Sequence, residues 1–184
     1  MKTTNNKEQK ASYYNKIFKK AKHYKCGFEK SEYYNVWFEL IGFLPPDKSI
    51  SITDVGCGTG QLLQMLEHYN YCNLMGFDFS DIALKEAIEK TQFASIYYGN
   101  IHNTRVISDV IICTEVLEHI ENDCEVLEKF EAKQIIITVP EFNDPAHVRY
   151  FESVEDVRLR YGKYFKCFEI IKVQRWFILN GYKK

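Results

Sequence analysis

Five groups of residues have the types and spacing needed to hold a polar ligand or move a proton. The first is Ile52-Thr-Asp54-Val-Gly56-Cys57-Gly58-Thr59-Gly60-Gln61: an apolar run, a carboxylate, three glycines at alternate positions, then a helical pattern. A chain that leaves a strand, turns sharply and enters a helix needs positions without a Cβ at the turn. The N–H groups left free at the helix start favour a polar or anionic group. The second group ends in Asp78-Phe79-Ser80, with Asp78 placed 18 residues after Gly60, the span of one helix and one strand. A carboxylate there can accept hydrogen bonds from both hydroxyls of a ribose, and Ser80 or Asp78 can cap the helix that follows. The third is Gly99-Asn100-Ile101, a Gly-Asn turn whose amide oxygen can also accept a hydrogen bond. The fourth, Thr114-Glu115-Val-Leu-Glu118-His119, follows an apolar run, and the fifth is Asn143-Asp-Pro-Ala-His147-Val-Arg149-Tyr-Phe. His119 and His147 ionise near neutrality and are candidate general bases. Glu115 is a candidate to orient the reacting groups, and Glu118 reads as a helix-start carboxylate. Arg149 can hold an anionic acceptor or pair with a neighbour such as Glu152.

The elements that must position these groups follow from periodicity. From Ser51 onward, strand patterns alternate with helical ones, the mark of a parallel sheet with crossover helices. Strands end at Asp54, Asp78, Tyr98 (Ala94–Tyr98), Thr114 (from Asp109) and Val139 (Gln134–Val139, closed by Pro140). Helices are expected near 60–69, 81–91 and 122–131. Two more precede the sheet, near 12–24 and 31–43, and residues 1–11 read as a disordered tail. Glu141–Glu152 reads as an irregular loop, Ser153–Tyr161 as a helix stopped by Gly162, and Phe168 onward as two strands turning around Val173–Arg175. In open α/β sheets ligands lie outside the carboxyl ends of the strands, and all five groups fall at such ends.

The run D-V-G-C-G-T-G resembles motif I of the class I S-adenosylmethionine-dependent methyltransferases, and its spacing differs from the G-x-G-x-x-G of dinucleotide folds. E-V-L-E-H resembles the motif after strand four in small-molecule and quinone-type members, and H-V-R-Y-F resembles their acceptor-side loop. The resemblance covers roughly residues 50–140. It implies a Rossmann-like seven-stranded, mostly parallel sheet with helices on both faces and a C-terminal antiparallel hairpin. Residues 1–45 would form a helical lid and 46–184 the methyltransferase domain. The implied donor is S-adenosylmethionine, leaving as S-adenosylhomocysteine. It would lie along Asp54, Gly56, Cys57, Gly58, Thr59 and Gly60, with Asp78 on the ribose and Phe79, Asn100 and Ile101 at the adenine. Ser80, Thr114 and Glu115 would complete its contacts. Asn100 stands where the family often has an acidic residue. Tyr13, Tyr14, Tyr33 and Tyr34 can close over the donor or serve as packing. The implied acceptor is an oxygen or nitrogen of a small molecule, with no metal required. Two alternatives stay open. Glu115, Glu118, His119 and His147 resemble the metal-binding set of small-RNA 2′-O-methyltransferases, and a donor-binding subunit without catalysis has the same glycine turn.

Composition sets bounds on these readings. The chain has 184 residues, 46% of them hydrophobic, enough for one domain with a sizeable core. It has no apolar run of membrane-spanning length and no signal-peptide pattern, so a cytoplasmic setting is expected. Six scattered cysteines without a C-x-x-C pair read as reduced, mostly buried thiols. Net charge is −1, but residues 1–30 hold nine lysines and two glutamates, a net of +7. A solvated lysine face on the first helix accounts for this asymmetry better than a nucleic-acid partner.

Overall fold

The structure, a computed structural model, describes residues 1–183. Seven strands form the central sheet: β1 (Ile52–Val55), β2 (Leu74–Asp78), β3 (Ser95–Tyr98), β4 (Val110–Thr114), β5 (Gln134–Pro140), β6 (Phe165–Val173) and β7 (Trp176–Lys183). Their order is β6-β7-β5-β4-β1-β2-β3. The first five run parallel, while β7 is antiparallel to both β5 and β6. The order reverses beside β1, so the crevice at a topological switch point opens over the glycine turn.

Six helices flank the sheet: α1 (Ala11–Lys20), α2 (Tyr34–Gly42), α3 (Gln61–His68), α4 (Asp81–Lys90), α5 (Asp123–Glu128) and α6 (Val154–Tyr161). The central strands are buried on both faces, which is why β4 and β5 read as near-continuous apolar runs. Alternate residues serve opposite layers. Ile112 and Ile136 pack with Trp37, Leu40, Leu63 and Leu66 of α2 and α3. Ile111, Ile135 and Ile137 pack with Val126, Leu127, Val157 and Tyr161 of α5 and α6. Each such side chain contributes about 1.5–3 kcal/mol by leaving water.

Several expectations need correction. Residues 1–11 are not a disordered tail. Lys2–Thr3 pair antiparallel with Arg149–Tyr150, and the terminal amine pairs with Asp156. The tail's polarity misled because the stabilisation comes from backbone groups of the loop after β5, 143 residues away at the Thr4–His147 contact. The first helix ends at Lys20, and Lys22–Tyr24 form a separate 3-10 turn. The helix expected to reach 131 stops at Glu128, and Phe130–Glu131 pair with Val106–Ile107. Strand β5 runs through Pro140, which lacks an N–H but whose carbonyl accepts from Phe151 N. All six cysteines are free, yet only Cys57 and Cys113 are buried, and Cys72 and Cys167 are exposed. Among the described residues, no helix is long and apolar enough to cross a membrane.

Candidate functional site

The glycine turn is held by its backbone. Gly56, Gly58 and Gly60 have φ of +73°, +52° and +75°, a region costly for any residue with a Cβ. A Cβ on Gly60 would lie 2.9 Å from the Cα and Cβ of Ala87 in α4, and one on Gly56 would lie 2.5 Å from Val116 Cγ2. Gly56 N and Cys57 N donate to Phe77 O (2.9 and 3.1 Å). Asp78 accepts from Gly58 N (3.0 Å) and Ser80 N (2.8 Å), tying the turn to the end of β2. Burial raises its pKa, against those backbone bonds. Ser80 caps α4 through Ala83 N (3.2 Å) and also donates to Asn15 of α1 (2.6 Å). Asp54 is 1% exposed, and its Oδ1 has no hydrogen-bond partner. Burial, then the charge of Asp78, pushes its pKa up to about 8.

Asn100 lines the same cavity, but its amide oxygen accepts from His102 N (2.9 Å) and so closes its own turn. The N-terminal segment roofs this half. Thr59 Oγ1 donates to Tyr24 O (2.7 Å), and Gln61 Nε2 donates to Cys26 O (2.9 Å). Phe18 lies 3.7 Å from where a Gly58 Cβ would sit. Glu8 bonds His102 Nε2 (2.6 Å) and accepts from Glu121 N (3.0 Å). Tyr13, Tyr14 and Tyr33 line the cavity, whereas Tyr34 stacks on Phe28 and Phe38.

The opposite wall starts where β4 ends. Glu115 has φ +56°, an uncommon value for a side-chain-bearing residue. Its carboxylate accepts from Thr138 Oγ1 (3.0 Å) and Trp176 Nε1 (2.8 Å). Burial raises its pKa to about 7 against these two bonds. Leu117–His119 form a 3-10 turn. Glu118 is fully buried with both carboxylate oxygens unpartnered, and burial raises its pKa well above the carboxylate range.

His119 Nδ1 faces Ala146 O (3.0 Å) and His147 Nδ1 faces Phe142 O (3.1 Å). A carbonyl only accepts, so both Nδ1 atoms carry the proton and both Nε2 atoms present lone pairs. The two rings lie 4.8 Å apart, and His119 Nε2 is 3.6 Å from Glu118 Oε1. Burial, then His147, lowers the His119 pKa to about 4, and burial lowers that of His147. Both are neutral at pH 7. Ligand atoms of Glu118, His119 and His147 all lie within 4.8 Å of one another. His119 is thus a weak base but a ready ligand.

Arg149 is not available to an acceptor. It is 5% exposed and donates to Leu117 O and Ile120 O (2.6 Å each) and Glu121 O (2.9 Å), 3.2 Å from Asp123. Val148 N donates to Glu118 O (2.9 Å), so the fifth sequence group clamps the fourth. Thr4 and Asn6 reach the carbonyl of His147 (2.7 and 3.1 Å). Thr4, Asn6, Glu8, Thr138 and Trp176 carried no sequence signal, because their partners lie far along the chain.

These walls enclose one cavity of about 540 Å³, lined by Asp54, Gly56 to Thr59 of the glycine turn, Asp78, Phe79, Asn100, Ile101, Thr114, Glu115, His119 and His147, with Gly60 buried outside the lining. Ser80 and Glu118 stand behind its surface, fully buried. The volume is that of a small-ligand site.

Residues 30–176 match the family described as "Methyltransferase domain". No curated protein matches the chain. Among solved structures, a chain of the Haloferax volcanii complex between the Trm112 methyltransferase activator and a methyltransferase aligns with a TM-score of 0.72 and 11% identity. That alignment covers 92% of this chain and 97% of the other. Small RNA methyltransferase HEN1 aligns at 0.71 and 20% identity, over 81% of this chain and 25% of that one. Magnesium protoporphyrin IX methyltransferase from Synechocystis PCC 6803, with bound SAM, aligns at 0.68 and 18% identity, over 98% and 100%. At these identities the likeness is one of fold.

Proposed function

We propose that this chain, which belongs to the methyltransferase-domain family, transfers a methyl group from S-adenosylmethionine to an oxygen or nitrogen of a small acceptor. One observation carries the reading: a single roofed cavity has a ligand-ready glycine turn at one end and a Glu–His–His cluster at the other. The residues fit the donor. Asp54 has a buried, unpartnered oxygen suited to an amino group, and a Cβ at Gly56 or Gly60 would collide with packed neighbours. Asp78 would hold the ribose, and Phe79 and Ile101 would flank the adenine beside Asn100. Cys57, Thr59, Ser80 and Thr114 would shape the turn and strand ends around it.

When bound, the donor supplies a sulfonium methyl that is displaced in line. The protein's part is to fix the two reactants and exclude water. Residues 1–45 serve as the roof, and Glu115, His119 and His147 face the acceptor. A neutral imidazole Nε2 there can take a proton from a hydroxyl or amine. The roof, formed by the chain's own Tyr13, Tyr14, Phe18 and Tyr24, leaves space suited to a small acceptor. Incubation with S-adenosylmethionine and pooled small hydroxy and amino compounds should release S-adenosylhomocysteine, and RNA should not. Turnover on RNA alone would overturn the small-acceptor reading.

A second reading is favoured by the orphaned Glu118 carboxylate, whose ligand atom lies within 4.8 Å of those of two imidazoles of fixed tautomer. Glu118, His119 and His147, with Glu115 nearby, offer oxygen and nitrogen ligands suited to a divalent cation. Such an ion would lower the pKa of an acceptor hydroxyl such as a ribose 2′-OH. Loss of turnover on chelation and recovery with magnesium, manganese or cobalt would establish it. Full activity in excess chelator would remove it.

A further inference from the structure

The charge of the cavity wall names an acceptor class more narrowly. Six carboxylates line the cavity, Glu8, Glu32, Asp54, Asp78, Glu115 and Asp144, and among the described residues no lysine or arginine does. The chain has 24 lysines and arginines in all, so their absence here is selective. Four of the six carboxylates are accounted for. Glu8 bonds His102 and Glu121 N, and Asp144 accepts from Ala146 N (2.9 Å). Asp78 accepts backbone N–H groups, and the orphaned, buried Asp54 oxygen faces the proposed donor.

Glu32 and Glu115 are left. Glu115 is held only by neutral donors, the Trp176 N–H and the Thr138 hydroxyl. Glu32 has His23 Nε2 at 4.0 Å. Both charges reach the hydroxyls of Tyr24 and Tyr33, adding to the larger effect of burial in raising their pKa. Aromatic rings line the same cavity: Tyr33 stacks on Trp37 (5.6 Å), and Phe142 on its wall meets Trp176 edge-on (5.9 Å). Arg175 stacks on Phe142 (4.1 Å) without lining the cavity.

Two carboxyls on one cavity wall, with aromatic rings and, among the described residues, no lysine or arginine beside them, attract an ammonium group through charge and ring quadrupole, and a bound ammonium in turn favours the ionised form of Glu115. It repels carboxylates and phosphates. We propose that the acceptor is a small aromatic or alkyl amine that docks as its ammonium beside Glu32, Glu115 and the rings of Tyr24 and Tyr33, loses one proton to a neutral imidazole Nε2 of His119 or His147, and attacks the donor methyl with the lone pair so freed as S-adenosylhomocysteine leaves. This rests on the methyl-transfer reading above and narrows its substrate class.

The test uses the full chain and three probes of one shape: 4-hydroxyphenethylamine, its alcohol, and its carboxylate counterpart. Each is titrated calorimetrically at neutral pH with and without S-adenosylhomocysteine. The amine should bind about tenfold tighter than the carboxylate. Glu32→Gln, a change at a half-exposed side chain that the fold tolerates, should shrink that gap to about threefold. Equal or tighter binding of the carboxylate overturns the proposal. So does failure of the amine to bind a protein that binds S-adenosylhomocysteine, or a gap untouched by Glu32→Gln. If S-adenosylhomocysteine fails to bind while the amine still binds selectively, the methyl-transfer reading falls and the charge selectivity of the cavity stands.

Discussion

The two halves of the cavity are assembled differently. The half with Asp54, the glycine turn, Asp78 and Gly99–Ile101 comes from successive strand ends within residues 52–101, joined by backbone bonds such as Gly56 N to Phe77 O. The half with Glu115, Glu118, His119 and His147 is drawn from the N-terminal segment, the turn after β4, the loop after β5 and Trp176. It is held by side chains reaching across 23 to 143 residues. The first half depends on glycines and parallel pairing, which the sheet fixes. The second depends on individual polar side chains, so single substitutions should dismantle it more selectively.

The largest effect should come from Arg149. Arg149→Met removes the guanidinium from Asp123 and from three carbonyls of the 117–121 turn. A loss of about 3–5 kcal/mol is expected in urea unfolding, because Asp123 keeps a buried charge with one partner fewer. Arg149→Lys should recover part of it, since the charge remains but the planar fork does not. Next is Gly60→Ala, which forces a Cβ at φ +75° into Ala87. It should cost roughly 2–4 kcal/mol and weaken S-adenosylhomocysteine binding at least about tenfold. Gly42→Ala, with nothing within 4 Å of the new atom, should instead stabilise α2 by about 0.5–1 kcal/mol. Equal losses for the two glycines would show that the turn carries no special constraint.

Asp54 ties stability to pH. Its folded pKa of about 8 lies above its unfolded value, so the folded state binds more protons across that window. Its contribution to stability is therefore greatest below about pH 4 and is lost as pH rises to about 8. Asp54→Asn should flatten this slope and stabilise the ligand-free protein at neutral pH by roughly 1–3 kcal/mol, while weakening donor binding. Thermal melts across pH with and without S-adenosylhomocysteine separate the two effects. The smallest effect is expected of Glu8→Gln, which loosens the roof at His102. Stability should move by less than about 0.5 kcal/mol, while S-adenosylhomocysteine should leave the site several-fold faster in stopped-flow displacement.

The same contrast explains what the sequence revealed. Asp54, Gly56–Gly60 and Asp78 were legible because a strand–turn–helix step requires those types at that spacing, and the sheet then places them together. The succession of strands and helices and the final hairpin followed from apolar and β-branched patterns and the turn around Val173–Arg175, whereas the spatial order of the strands has no signature in them. Of the two roles open to Arg149, pairing within an ordered loop is the one seen, but with Asp123 and the carbonyls of Leu117, Ile120 and Glu121 in place of Glu152, partners that no local pattern announces. Thr4 and Asn6 were invisible because short polar residues in a lysine-rich tail have no periodicity. Trp176 and Thr138 looked like sheet residues, and their hold on Glu115 depends on the pairing of β7 with β5.

The most direct test of the central claim is calorimetric titration of S-adenosylhomocysteine into the full chain and into Asp78→Ala, each verified as folded by circular dichroism. The account predicts saturable binding at one site for the natural sequence and loss of most affinity in the variant. No binding by the folded natural protein, or equal affinity in Asp78→Ala, would contradict it.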